Sequence, residues 1–157
     1  MPLFCCPLYF IGIMEKVLVS RCLLGEICRW DAKRLDYDIL DQLKGVKPVG
    51  ICPEIDGGLT CPRSKAEIKA GNGYDVLDRN SQVIDINGID LTEEFLRGAQ
   101  ATLILAINNN IKKAFLKEKS PSCGVNQIYN NGSIINGMGV TTALLRRHGL
   151  EVIGFGS

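Results

Sequence analysis

Residues 15–25 read Glu-Lys-Val-Leu-Val-Ser-Arg-Cys-Leu-Leu-Gly, a short β-branched and apolar run that stops at a serine and passes directly into a cysteine. Such a run, polar at both ends, is the pattern of a buried strand. Working outward, Leu35, Ile39, Leu40 and Leu43 recur at helical spacing, with Asp36 and Asp38 near the start and Lys44-Gly45 at the end. Acidic residues suit a helix N-terminus, and a basic residue followed by glycine suits its C-terminus. Val46 to Ile51 reads as the next strand, with Pro48 forcing a late start or an edge position. The chain thus opens with a β-α-β step.

The same reading runs to the C-terminus. Cys52 to about Gly73 is expected to be a long functional loop with a helical turn around Ser64 to Lys69, and Tyr74–Leu77 and Gln82–Asp85 to pair as a hairpin. A helix is predicted from about Leu91 to Asn109, with Asp90 as N-cap and Glu93 at capping-box spacing. Ala114-Phe115-Leu116 reads as a strand followed by a polar loop, Lys117 to Gly124. Gly137 and Gly139 precede a predicted helix whose last turn carries Arg146, Arg147 and His148 before Gly149. Leu150 to Ile153 supplies a last strand. Strands alternating with helices imply a three-layer α/β domain with a mainly parallel sheet.

The 157 residues suit one domain. At 46% hydrophobic and 22% charged, the composition excludes disorder, collagen-like repeats and a coiled coil. Eighteen basic against seventeen acidic residues leave a formal charge of +1, so nothing argues for a nucleic-acid or membrane surface, and a small-molecule partner is expected. Residues 1–13 are apolar but have no basic n-region and are too short to span a bilayer. They read as an extension before a domain covering residues 14–157. The expected compartment is the reducing cytoplasm, where the seven cysteines point to metal binding or catalysis rather than cross-linking.

Cys22, Cys52 and Cys123 each follow a predicted strand, so the inferred sheet gathers them at one edge, the edge where open α/β sheets bind ligands. A cysteine after a buried strand can equally be a small inert hydrophobe. If the three converge, they form a soft donor set with no obvious fourth member, since His148 reads as a helix cap. Structural zinc wants four closed ligands and usually a close cysteine pair, which is absent. Thiolates also suit iron–sulfur clusters, and a cubane held by three cysteines leaves one iron open to a substrate atom. Glu54, two residues past Cys52, can reach the same crevice as a proton acceptor or remain a solvated loop residue. Ser120 and Ser122 offer hydroxyls, and Arg21, Arg29 and Arg63 can offset cluster charge or hold a substrate. Gly137-Met138-Gly139 before a helix leaves an anion-binding N-terminus possible.

Three blocks now carry a resemblance: Ser20-Arg21-Cys22-Leu23-Leu24-Gly25; Cys52-Pro53-Glu54-Ile55-Asp56-Gly57-Gly58-Leu59 followed by Pro62-Arg63; and Lys117-Glu118-Lys119-Ser120-Pro121-Ser122-Cys123-Gly124. With Gly137-Met138-Gly139-Val140-Thr141, they resemble a bacterial family long catalogued as a domain of unknown function and associated with thiouracil desulfidases. The resemblance covers nearly all of residues 14–154. It implies a Rossmann-like α/β fold, a [4Fe-4S] cluster on Cys22, Cys52 and Cys123 with one iron not ligated by protein, and replacement of the thiocarbonyl sulfur of a thiolated pyrimidine by oxygen. On that reading Glu54 and Ser120 are catalytic, and Ser122, Arg63 and Gly124 contact substrate. Cys28 and Cys61 depart from the pattern and read as incidental. The competing expectation is a non-catalytic iron–sulfur or zinc module that senses redox state or metal through four thiolates.

Overall fold

The computed structural model describes residues 12–156. Cys5, Cys6 and most of the expected N-terminal extension therefore lie outside the described residues. A four-stranded sheet in the order β2-β1-β5-β8 forms the centre, from β1 (Glu15–Ser20), β2 (Val46–Ile51), β5 (Lys113–Lys117) and β8 (Glu151–Phe155). Every pairing in it is parallel, the Rossmann-like arrangement implied above. Pro48 lies on β2 at the sheet edge, where a missing N–H costs no ladder bond.

Strand β1 shows why the sheet sits in the middle of three layers. Val17, Leu18 and Val19 are fully buried, and their side chains alternate between faces. Leu18 joins a core made with α3 (Thr92–Asn108) and α4 (Val140–Arg147), through Phe95, Ala99, Leu103, Val140 and Leu144. Val17 and Val19 join a second core with Phe115, Leu23 and Ile39. That second layer is irregular chain rather than a helix. The helix expected over residues 35–44 is corrected to one 3-10 turn, Leu40–Leu43. Asp38 Oδ1 accepts the Leu40 N–H at 3.2 Å, an alternative to helical bonding that starts the turn late. Leu35, Ile39 and Leu43 still face the core, so their spacing marked burial and not helix.

The middle of the chain also differs from expectation. Residues 66–68 form a strand, β3 (Ala66–Ile68), whose antiparallel partner is β4 (Val83–Asp85). Tyr74–Leu77, expected in a hairpin with Gln82–Asp85, instead belongs to α2 (Gly73–Leu77). Asn72 and Asp75 decide this with a capping box: Asn72 Oδ1 accepts the Tyr74 N–H, and Asp75 Oδ2 accepts the Asn72 N–H, each at 2.8 Å. At the start of α3, Asp90 does accept the Thr92 N–H at 2.9 Å, but Glu93 pairs with Arg79 instead of closing a box. A second hairpin, β6 (Gln127–Asn130) with β7 (Ser133–Asn136), turns on Asn131-Gly132, both at positive φ. Asn-Gly between apolar runs is a strong hairpin signal. Among the described residues no helix is long and apolar enough to cross a membrane.

Candidate functional site

All three expected cysteine ligands lie beyond the carboxyl ends of parallel strands. Strand β1 feeds the 3-10 turn Arg21–Leu24, which carries Cys22. Strand β2 ends at Ile51, and Cys52 caps the short helix α1 (Pro53–Asp56), its N–H donating to Asp56 Oδ2 at 3.2 Å. Helix α1 is seated directly on α3 at Gly98, where a Cβ would come within 1.8 Å of Pro53 O. Cys123 lies in the loop after β5. Ser20 Oγ, at the end of β1, accepts the Lys117 N–H at 3.0 Å and ties those two strand ends together.

The loop of Cys123 is built on the N-terminus of α4. The N–H groups of Val140 and Thr141 donate to Pro121 O at 2.8 Å and Ser122 O at 2.9 Å, and Thr142 Oγ1 donates to Cys123 O at 3.0 Å. The helix N-terminus left open as an anion site therefore binds the protein's own carbonyls. Gly139 is needed for this approach, because a Cβ there would lie 2.3 Å from Ser122 O. Gly139→Ala is expected to cost about 1–3 kcal/mol by overpacking and to displace the Cys123 loop. Denaturant midpoints and iron content after reconstitution check the two effects separately.

Cys22, Cys52 and Cys123 line one cavity of about 250 Å³, together with Glu54, Arg63 and Ser120. Cys28, read as incidental, lines it too, and its carbonyl oxygen accepts from the Cys52 thiol at 3.8 Å. The neighbouring Cys22 thiol and burial push Cys28 up to about 11, against the Cys52 thiol, which pulls it down. The Cys28 contact and burial raise Cys52 well above the ordinary thiol range. Burial pushes Cys123 up to about 12. Cys61 does not line the cavity; its thiol lies against Arg29 O at 3.2 Å. His148 is remote from it, capping α4 with Nδ1 at 3.0 Å from Leu144 O.

Glu54 and Arg63 form a buried ion pair in the wall. Arg63 Nε and Nη2 both donate to Glu54 Oε2, the Nε bond at 2.8 Å. Glu54 Oε1 has no protein partner among the described residues. Arg63 Nη1 reaches Cys28 O and Thr60 O, each at 3.0 Å, so the pair is clamped to the neighbouring loop. Ser120 Oγ accepts the N–H groups of Ser122 at 3.1 Å and Cys123 at 3.0 Å, which leaves its own hydroxyl hydrogen to donate. The other two expected substrate contacts are placed elsewhere. Ser122 is buried with Oγ 2.9 Å from Thr141 Oγ1, and Gly124 is wedged between Ser120 O and Gln127 O. Neither lines the cavity. Both build the loop that carries Cys123.

Six cationic side chains line the cavity, Arg21, Arg29, Arg63, Lys65, Lys117 and Lys119, against the two carboxylates of Glu54 and Glu118. Arg21 Nε is buried with no hydrogen-bond partner, although Glu26 lies 3.5 Å away in poor alignment. Arg21, Arg29 and Arg63 are paired with Asp56, Asp31 and Glu54, while Lys65, Lys117 and Lys119 form no ion pair among the described residues; soft thiols beside such unpaired cations suit an anionic thiolate-bound cluster. Among the described residues no three His, Cys, Asp or Glu side chains converge closely enough for a single ion.

Glu118 went unrecognised in the sequence, although it stands inside the third block. Its buried carboxylate accepts the N–H groups of Val125, Asn126 and Gln127 and the Asn126 side-chain amide. Burial alone would raise its pKa; those bonds outweigh it, and the net direction is downward. A depressed carboxyl stabilises the fold above its unfolded pKa of about 4.3 and loses that contribution as pH falls through the folded value. Glu118→Ala, which orphans those donors, is expected to cost on the order of 3 kcal/mol at pH 7. The gap from the parent protein should narrow below about pH 4, as parallel denaturant titrations at the two pH values will show.

A Rossmann-like sheet with a thiol-lined, cation-rimmed cavity at its carboxyl edge defines an α/β protein with a candidate site at its strand ends, and comparison with known proteins specifies its family. The chain belongs to the 2-thiouracil desulfurase family, whose profile it matches over residues 17–154, and it is an enzyme of that class. It is 42% identical over 141 residues to the uncharacterized protein YbbK of Bacillus subtilis (strain 168), covering 87% of this chain and 93% of that one. It is also similar to the solved structure of a [4Fe-4S]-dependent thiouracil desulfidase, TudS, at 41% identity and a TM-score of 0.77, over 89% of this chain and 90% of that one.

Proposed function

We propose that this chain holds a [4Fe-4S] cluster through Cys22, Cys52 and Cys123 and hydrolyses the thiocarbonyl of a thiolated pyrimidine in the cytoplasm. The balance is one water consumed and one sulfide released as carbon–sulfur becomes carbon–oxygen. One observation carries the reading: three thiols from three separate strand ends line a single cavity that also contains an ion-paired carboxylate. With three thiolates on four irons, the cluster would offer one iron without a protein ligand, a Lewis acid for the substrate sulfur.

The chain's own residues supply the rest. Glu54 accepts a proton from the attacking water through its free Oε1, while Arg63 fixes the carboxylate by its other oxygen. Ser120, held by two backbone N–H groups, directs its hydroxyl hydrogen to the water or to the oxygen that forms. Arg63, in contact with the cavity, remains the one expected substrate contact that the cavity wall supports. The test is anaerobic: reconstituted protein with 2-thiouracil should yield uracil and sulfide in equal amounts. A loaded protein that binds thiouracil without releasing sulfide would overturn the proposal.

A further inference from the structure

We propose that Trp30 is a specificity-determining residue that stacks on the planar ring of the substrate, an assignment that rests on the thiolated-pyrimidine reading above. Three aromatic side chains line the cavity: Trp30, Phe95 and Tyr129. Phe95 belongs to the core at 1% exposure. Tyr129 carries the Lys65 ammonium over its ring, 4.1 Å from the centroid. Trp30 makes no aromatic or cation–π contact among the described residues, and 41% of its surface is open. A large indole left open in a cavity wall is a ready surface for a flat heterocycle.

The backbone that presents it is held from both sides. Trp30 O accepts the Arg63 N–H at 2.9 Å, and Cys28 O accepts Arg63 Nη1 at 3.0 Å. Next to it, Arg29 grips Asp31 with two bonds of 2.9 Å each. The residue that fixes the Glu54 carboxylate therefore also fixes the indole's carrier segment. A stacked ring is thus placed relative to the carboxylate with little ordering left to do on binding. This is preorganisation for a planar ligand, and it takes no part in the proton transfers.

The test uses two non-reacting probes, uracil and dihydrouracil, which present the same polar edge but differ in ring planarity and aromaticity. Trp30 is the chain's single tryptophan, so its fluorescence reports binding to the cluster-loaded protein directly. Uracil is expected to quench it and to bind more tightly than dihydrouracil. In Trp30→Ala, followed by calorimetry, uracil affinity should fall about ten- to a hundredfold, the range of base–aromatic stacking, and the preference over dihydrouracil should vanish. Turnover of thiouracil should show a raised KM with kcat nearly unchanged, and Trp30→Phe should recover most of the affinity. An active Trp30→Ala enzyme with unaltered KM and an unaltered uracil preference overturns this assignment alone. Absence of sulfide release by the parent protein overturns the reading beneath it.

Discussion

Alanine at Cys22, Cys52 or Cys123 is expected to abolish cluster loading and bring turnover to the uncatalysed background. Each thiol comes from a different strand end, and the one other thiol in the cavity lining, Cys28, follows no strand end. Iron and acid-labile sulfide analysis after anaerobic reconstitution measures the first effect, and sulfide release the second. Cys61→Ala is the matched control, because Cys61 lies outside the cavity lining and should retain both. Cys28 gives the more informative comparison. It stands among the proposed ligands without following a strand end, so Cys28→Ala should still load the cluster. A cluster lost with Cys28 would show a four-thiolate centre and contradict an open iron.

Glu54→Gln is expected to lower kcat by about 10²–10⁴-fold with the cluster intact, the usual contribution of a positioned proton acceptor. The amide preserves an oxygen for Arg63, and Arg63 keeps its bonds to Cys28 O and Thr60 O, so the loop should stay in place. Visible absorption of the loaded variant verifies the cluster while single-turnover sulfide release reads the chemistry. Loss of the cluster would make Glu54 a structural support. Unchanged turnover would move the base elsewhere in the cavity wall.

Much of this site was legible because strand ends are legible. Val17–Ser20 and Ala114–Leu116 are continuous apolar runs, and the rule that parallel sheets bind at their carboxyl edge carried Cys22, Cys52 and Cys123 to one place. What escaped was decided by side chains bonding to backbone, near and far. Asn72 with Asp75 turned an apparent strand into helix, and Asp38 cut a helix to one turn. Ser122 and Gly124 share a motif with Cys123 yet pack away from the cavity, Ser122 against α4 and Gly124 within its own loop, since adjacency in sequence does not tell which way a loop residue faces. Cys28 and Trp30 lie on an irregular segment with no periodicity to read. Arg63 places that segment from more than thirty residues away.

The separation of the three thiols along the chain has a kinetic meaning. Cys22 and Cys123 are roughly a hundred residues apart, and the loop of Cys123 stands on α4, which is complete only at Arg147. A nascent chain therefore has no finished pocket until almost its whole length has been made, and loading must follow folding. Once bound, a group joining the three loops acts as a cross-link across a very long loop. A covalent tie of that span removes about 4–5 kcal/mol of chain entropy from the unfolded ensemble. The loaded protein should thus resist unfolding as a crosslinked chain does, and oxidative loss of the cluster should release that constraint and leave the chain open to proteolysis.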